Sequence, residues 1–394
     1  MAAVARQGLV PLAVLLALAL ALLPGVRQAW RGLPAATTMR WGAPFLAWTL
    51  LANAWSSGGH WSAWVQSFAA AGIAVLAANG LAALRGAAAR RAGVAALIGG
   101  LALALFLLEE SFSGAAILSW VRPDDVQQSA ATFFSLIMAL VARGTAVLAP
   151  LSFALAGLAF AVTRSRLAAA ALLLAVLLAC VRLPMTASAL ALLAGLAVGG
   201  VVYLRPKPAV ALLLAGLGAA ILGAAPAARL VPDPAQAPAA QDQLELGVQH
   251  RLGIWHYVGT RIAERPVFGH GFNAARDLAA TQPVLPGSGL PALPTHPHNA
   301  PLQIWLELGG IGALLAALAL VGLWRAVQPV LTRPLHAALI TAILTAAAVI
   351  ASLSFSVWST WWLAALGLVA GTTALAVQLL PGSVVEPQHD QQRA

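Results

Sequence analysis

Apolar runs, each about 16–25 residues long, recur along almost the whole chain between short basic turns, and they leave few folds open. They lie near 8–24, 41–56, 62–84, 93–110, 143–163, 166–181, 186–204, 208–225, 301–324, 335–353 and 356–379. A bilayer offers no water to backbone N–H and C=O groups, so runs of this length satisfy them internally as helices rather than as barrel strands. The expected fold is therefore an all-α polytopic membrane protein of roughly eleven or twelve spans. The twelfth depends on 126–142, either a short span or an interfacial helix. Composition agrees: 61% of residues are hydrophobic and 9% charged, where soluble domains carry roughly a quarter charged. The first run, Gly8 to Leu23, has the look of a signal peptide, but more spans follow at once and it reads as a first transmembrane helix.

A net charge of +10 invites a nucleic-acid partner. The positions of the charges argue for topology instead, because Lys and Arg gather in the short turns. Arg85, Arg90 and Arg91, then Arg164 and Arg166, then Arg205 and Lys207, then Arg325 and Arg333 mark cytoplasmic turns. Glu109, Glu110, Asp124 and Asp125 then flank an outer loop, and the run 208–225 points outward. Arg27, Arg31 and Arg40 also read as cytoplasmic, which would put the start of the chain outside; that parity stays open. The expected organisation is an N-terminal transmembrane bundle over 1–225 and an outer loop over 226–300 with a helix near 244–265. C-terminal transmembrane helices follow over 301–380, then an unstructured cytoplasmic tail over 381–394. Cys180, the one cysteine, lies in an apolar run and offers neither a disulfide nor a thiolate metal site.

Most of the polar chemistry is concentrated in the outer loop. A Pro/Ala linker, Val231 to Ala240, has no periodicity. Leu244, Val248, Leu252, Trp255, Val258 and Ile262 then recur at intervals of three and four, the signature of an amphipathic helix. Pro266 ends it, Gly269 and Gly271 make a tight turn, and the loose stretch Gln282 to Pro294 leads to His296-Pro-His298-Asn299-Ala-Pro301. Pro301 has a preset φ and no N–H, which suits the first turn of a helix. His298 and Asn299 thus stand just outside the positive end of that helix, where a neutral imidazole able to accept a proton is favoured over imidazolium. By the same topology Arg182 emerges at the outer face, as does Arg251 on the amphipathic helix. Arginine presents a permanently charged planar fork that suits phosphate oxygens, although a span-end arginine often does no more than snorkel.

His298-Asn299-x-x-Leu302-Gln303-x-x-x-Glu307-x-Gly309, with Gly312, resembles the signature of the O-antigen ligase and polymerase superfamily of bacterial envelope glycosyltransferases. Arg251-x-x-x-Trp255 and Glu264-x-Pro266-x-x-Gly269-x-Gly271 resemble the segment that leads into it. Arg182 is similar in position to the family's transmembrane-end arginine, but Val181 and Leu183 replace the small residues usual on either side. The resemblance implies a glycosyltransferase of the bacterial inner membrane, acting at its periplasmic face without metal or other cofactor. Its donor would be a glycan linked to undecaprenyl pyrophosphate, and its acceptor a lipid A–core hydroxyl. His298 would be the general base, with Arg182 and Arg251 holding the pyrophosphate leaving group. A base near neutral pH and fixed positive charge are what such a transfer needs.

Asn299, Trp255 and Glu307 are further candidate substrate contacts. The plainer role of Trp255 and Trp305 is as interface anchors, that of Glu307 a structural hydrogen bond, and that of Gly309, Gly310 and Gly312 close helix approach. Arg143 is either a further phosphate contact or a boundary arginine. His250, His256, His270 and His296 could be offered as metal ligands, but they are spaced over flexible turns. A polymerase of lipid-linked repeat units, or a transferase to protein, would use the same donor motifs. A lipid-linked glycan transporter is the non-enzymatic alternative, against which stands the scarcity of ionisable residues within the spans.

Overall fold

A computed structural model describes residues 8–33, 37–114, 116–121, 130–183, 185–233, 246–281, 283 and 290–381. In chain order the helices are α1 (Leu9–Ala21), α2 (Pro24–Arg31), α3 (Thr37–Leu51), α4 (Trp61–Ala83), α5 (Gly86–Ser113), α6 (Ala116–Val121), α7 (Ala130–Thr163) and α8 (Arg166–Arg182). They continue with α9 (Thr186–Leu204), α10 (Pro206–Ala228), α11 (Leu246–Glu264), α12 (Ala275–Ala280), α13 (Ala300–Val327), α14 (Pro334–Leu353) and α15 (Thr360–Leu379). The chain is an all-α polytopic membrane protein. Eight described helices are long and apolar enough to cross a bilayer, or nine if α1 and α2 form one span bent by 107°.

Several expected boundaries move. The first run does not continue as one helix to residue 24, because the chain turns where Pro24 begins a new helix. Residues from 130 join the 143–163 run as one helix instead of forming a separate short span. Asp124, Asp125, Leu244, most of the Val231–Ala240 linker, most of the Gln282–Pro294 stretch and the tail beyond Pro381 lie outside the described residues.

Helices from the two ends of the chain pack together: α4 against α15, α9 against α14, and α3 against α13. Small residues permit this. A Cβ on Gly367 would sit 2.5 Å from that of Ala74, and one on Gly199 3.0 Å from the carbonyl of Ala338, the close approach by which helices associate in lipid. Helix α11 packs against α10 and α13, and α12 packs against α13. Helix α11 buries Ile254, Val258 and Ile262 against Ala225, Ala228, Leu302 and Leu306. Each such side chain is worth roughly 1.5–3 kcal/mol. The buried stripe is rotated from the expected one: Ile254 is fully buried, whereas Val248 is 39% exposed.

Helix α13 is broken at Gly309 (φ 66°, ψ −168°), a backbone region open essentially to glycine alone. The break strands backbone groups that a continuous helix would pair, and the turn after α11 fills it. The N–H groups of His270 and Gly271 donate to the carbonyls of Leu306 and Glu307, each at 2.9 Å. Those of Gly310 and Ile311 donate to Pro266 and Val267, at 2.8 and 3.3 Å. The indole N–H of Trp48 takes the Leu308 carbonyl at 2.9 Å. Gly269 and Gly309 face each other backbone to backbone: a Cβ on Gly309 would be 2.2 Å from the carbonyl oxygen of Val267. The two halves of the sequence signature are thus one interlocked unit, and it sets α11 against the start of α13.

Candidate functional site

Asn299 caps α13 as its neighbours predict, its Oδ1 accepting from the N–H of Leu302 at 3.0 Å. That bond engages Oδ1, so Asn299 acts as the helix cap. Asn299→Ala is expected to cost about 1 kcal/mol, seen as a lower thermal midpoint in detergent. The preceding residue, His298, has φ 53°, a left-handed conformation uncommon outside glycine. This backbone turns the ring back over the helix start, where its Nδ1–H donates to the carbonyl of Ser354 at the end of α14, 2.6 Å away. Nδ1 therefore carries the proton of the neutral ring. Nε2, the acceptor, makes no hydrogen bond to any described side chain or backbone group. The ring lines a cavity of about 490 Å³ with Arg251 and Trp255 of α11 and Thr186 and Ser188 of α9.

His298 has a pKa below the usual imidazole value. Burial is the main cause, and the positive charge of Arg251 adds to it, against the opposing bond to Ser354. Burial and Arg251 thus both favour the neutral ring expected at this position. His296 is pushed further, to about 4, by burial and then by His298 beside it. The two rings stand 4.3 Å apart, yet their bonding differs. His296 has Nε2 against the Ser354 carbonyl at 3.2 Å and Nδ1 against the Thr295 hydroxyl at 3.0 Å, so both nitrogens are engaged. Of these two rings, His298 is the one with an acceptor nitrogen that makes no hydrogen bond among the described residues.

Gln303 and Glu307 hold the turn that carries Ser354. Glu307 is fully buried and accepts from the N–H groups of Asn273 and Ala275, from Gln303 and from the indole of Trp358. Gln303 in turn donates to the Ser356 hydroxyl at 3.0 Å and accepts from the N–H of Val357 at 3.1 Å. A buried carboxyl group enclosed by four donors is a structural clamp, as a buried polar group requires, and it does not line the cavity of His298. The indole N–H of Trp255 donates to the Pro297 carbonyl at 3.2 Å, and the residue also lines the cavity.

Arg182 is not among the residues that line this cavity with Arg251 and His298. It is exposed, donates to the Ser111 carbonyl at 3.3 Å and lies 4.5 Å over the ring of Phe112, tying the end of α8 to that of α5. The residues at that wall of the cavity come instead from the first turns of α9. Arg143 of α7 lines a second, more polar cavity of about 480 Å³, together with Arg276 and His296. An arginine inside a long apolar helix was the available signal for it. His250, His256 and His270 each bond a separate backbone carbonyl, those of Pro291, Val231 and Arg261. Among the described residues no three His, Cys, Asp or Glu side chains are grouped as a metal site.

Comparison with known proteins meets this geometry. Residues 151–317 match the O-antigen ligase family. That segment contains Arg182, Arg251, Trp255, His298, Asn299 and Glu307, while Arg143 precedes it. A provisionally named polysaccharide ligase of Rickettsia prowazekii is 32% identical over 117 residues, 29% of this chain and 29% of the relative. One of Rickettsia conorii is 35% identical over 117 residues, 29% of this chain and 28% of the relative. The alignments thus span under a third of the length of these curated relatives. No solved structure matches the chain significantly. The resemblance to the O-antigen ligase superfamily is borne out.

Proposed function

We propose that this chain, which carries an O-antigen ligase domain over residues 151–317, is a glycosyltransferase that moves a polysaccharide from undecaprenyl pyrophosphate to a hydroxyl of a lipid A–core acceptor. The reading places it in the bacterial inner membrane, with the reaction at the periplasmic face and no metal or other cofactor. The acceptor oxygen attacks the anomeric carbon of the donor sugar, and the bond from that carbon to the phosphate oxygen breaks. The acceptor proton passes to Nε2 of His298, and undecaprenyl pyrophosphate leaves with one further negative charge, stabilised by Arg251. The observation that carries this is the bond from His298 Nδ1 to Ser354, which leaves Nε2 as acceptor in the cavity that Arg251 also lines. A general base needs that tautomer and a low-enough pKa to be unprotonated. Arg182 remains in the proposal only as a charge at the same boundary that helps to draw the pyrophosphate head group in.

Purified protein with undecaprenyl-pyrophosphate-linked polysaccharide and lipid A–core is the direct test. Formation of core carrying polymer supports the ligase. Joined repeat units on the lipid carrier would identify a polymerase using the same donor site, and absence of any product with movement of donor across vesicles would identify a transporter. The pH profile gives an independent check. Protonated His298 cannot accept a proton, so kcat falls as the pH drops, and its acid limb is expected below 6.5, the ordinary imidazole value. Arg251→Gln removes a charge that repels imidazolium, so the limb should move to higher pH. A limb that stays in place, or moves down, would count against His298 as the titrating base.

A further inference from the structure

The second cavity has a chemistry distinct from the first and adjoins it. Phe355 lines both, and the neighbouring rings of His296 and His298 divide between them, His296 lining the second cavity and His298 the first. The first is walled mainly by apolar groups such as Leu190, Val248, Leu252 and Leu353, with one arginine. The second is walled by hydroxyl and amide groups, among them Ser62, Gln66 and Ser359, and by the indoles of Trp358 and Trp361. Two guanidinium groups enter it from separate elements, Arg143 from α7 and Arg276 from α12. That of Arg143 lies 5.7 Å over the ring of Trp361.

Hydroxyl and amide walls with an aromatic face are the means by which proteins hold sugars, whose own surface alternates hydroxyl edges with C–H faces. Two arginines add positive charge that is complementary to anionic oxygens. The volume of about 480 Å³ falls within the roughly 300–1,000 Å³ of small-ligand sites. The apolar cavity suits the isoprenoid end of a donor, which leaves the polar one for the partner glycan. A hydroxyl presented at the Phe355 boundary would meet the cavity into which His298 opens.

We propose that the cavity between Arg143 and Arg276 is the acceptor subsite, and that it selects acceptor glycans bearing a phosphate or carboxylate close to the hydroxyl that reacts. This rests on the transferase reading above. The two arginines hold the anionic group, Trp361 backs the sugar ring, and His296, neutral with both nitrogens engaged, keeps the wall polar without adding charge.

The test is acceptor binding without donor, so that turnover is not needed. Lipid A–core oligosaccharide is compared with the same material after enzymatic removal of phosphate and, separately, after reduction of its carboxylates. The untreated acceptor is expected to bind at least about tenfold more tightly than one of the two treated forms, the difference made by one good charged contact. Which form loses affinity identifies the anion. Arg276→Gln, at an exposed position, and Arg143→Gln should each abolish the difference, and Arg143→Lys should restore part of it, which a merely structural role would not. Equal binding of all three acceptors would overturn the proposal. So would loss of undecaprenyl pyrophosphate binding in both Gln variants, which would assign the cavity to the donor. Undecaprenyl pyrophosphate binding to the unmodified protein, measured alongside, reports on the transferase reading separately.

Discussion

Replacing His298 by Ala is expected to lower kcat by about 10²–10⁴, the usual contribution of a positioned general base, while undecaprenyl pyrophosphate still binds. The substitution has a side effect: Ala at φ 53° is strained by roughly 1–2 kcal/mol, so some activity could be lost through misplacement of the chain. His298→Asn separates the two. Asparagine accepts the left-handed conformation more readily than alanine and keeps a donor near Ser354, but it has no basic nitrogen. If His298→Asn loses activity as fully as His298→Ala while its thermal midpoint stays near that of the unmodified protein, the missing group is the base. Retention of more than about a tenth of the rate in His298→Asn would remove His298 from that role. The same pair of variants bears on His296, whose substitution should affect acceptor affinity more than kcat because neither of its ring nitrogens is open.

Gly309→Ala should be the most damaging single methyl group in the chain. The new Cβ would lie 2.2 Å from the Val267 carbonyl oxygen and 2.6 Å from the Gly269 nitrogen. Both are backbone atoms, and they belong to the turn whose N–H groups satisfy Leu306 and Glu307. The chain cannot relieve the clash by rotating a side chain; it must open the interlock and leave several buried backbone groups unpaired, each costing about 1–3 kcal/mol. A loss of more than about 4 kcal/mol, or failure to recover folded protein, is expected. Gly310→Ala is the control one residue along. Its Cβ would meet the rim of the Trp305 ring at 3.1 Å, a side chain that can shift slightly, and should change the thermal midpoint little. Similar damage from both variants would mean that the junction is merely crowded and that Gly309 has no special backbone role.

Several features of this site are visible in the sequence for direct physical reasons. Asn299 and Pro301 specify a helix start wherever they stand, since a cap bonds three residues along and a proline fixes its own φ. Arg251 and His298, which the sequence offers as companions, line one cavity. Arg182 shows where that reasoning stops. Topology fixes the height of a residue in the bundle but not its azimuth, and Arg182 turns toward Ser111 and Phe112 at the end of α5. Arg143, on another helix, lines a cavity instead. Likewise Glu307 is legible as a costly buried carboxylate in need of partners, but its partners come from residues as far away in sequence as Trp358 and Asn273.

The sequence alone determined that the chain crosses a membrane as helices, that an amphipathic helix precedes the last three long ones, and that His298 stands at a helix start. Apolar length, basic turns and local capping are properties of neighbouring residues, so no tertiary information was required. Only the folded chain decided that Nε2 of His298 is the open nitrogen, because the deciding acceptor is a backbone carbonyl 56 residues away and carbonyl direction has no residue code. It also decided that Gly269 and Gly309 are one device. Each reads locally as a flexible or close-packing glycine, and the need for both appears only when a broken span and a returning turn are brought within hydrogen-bonding distance.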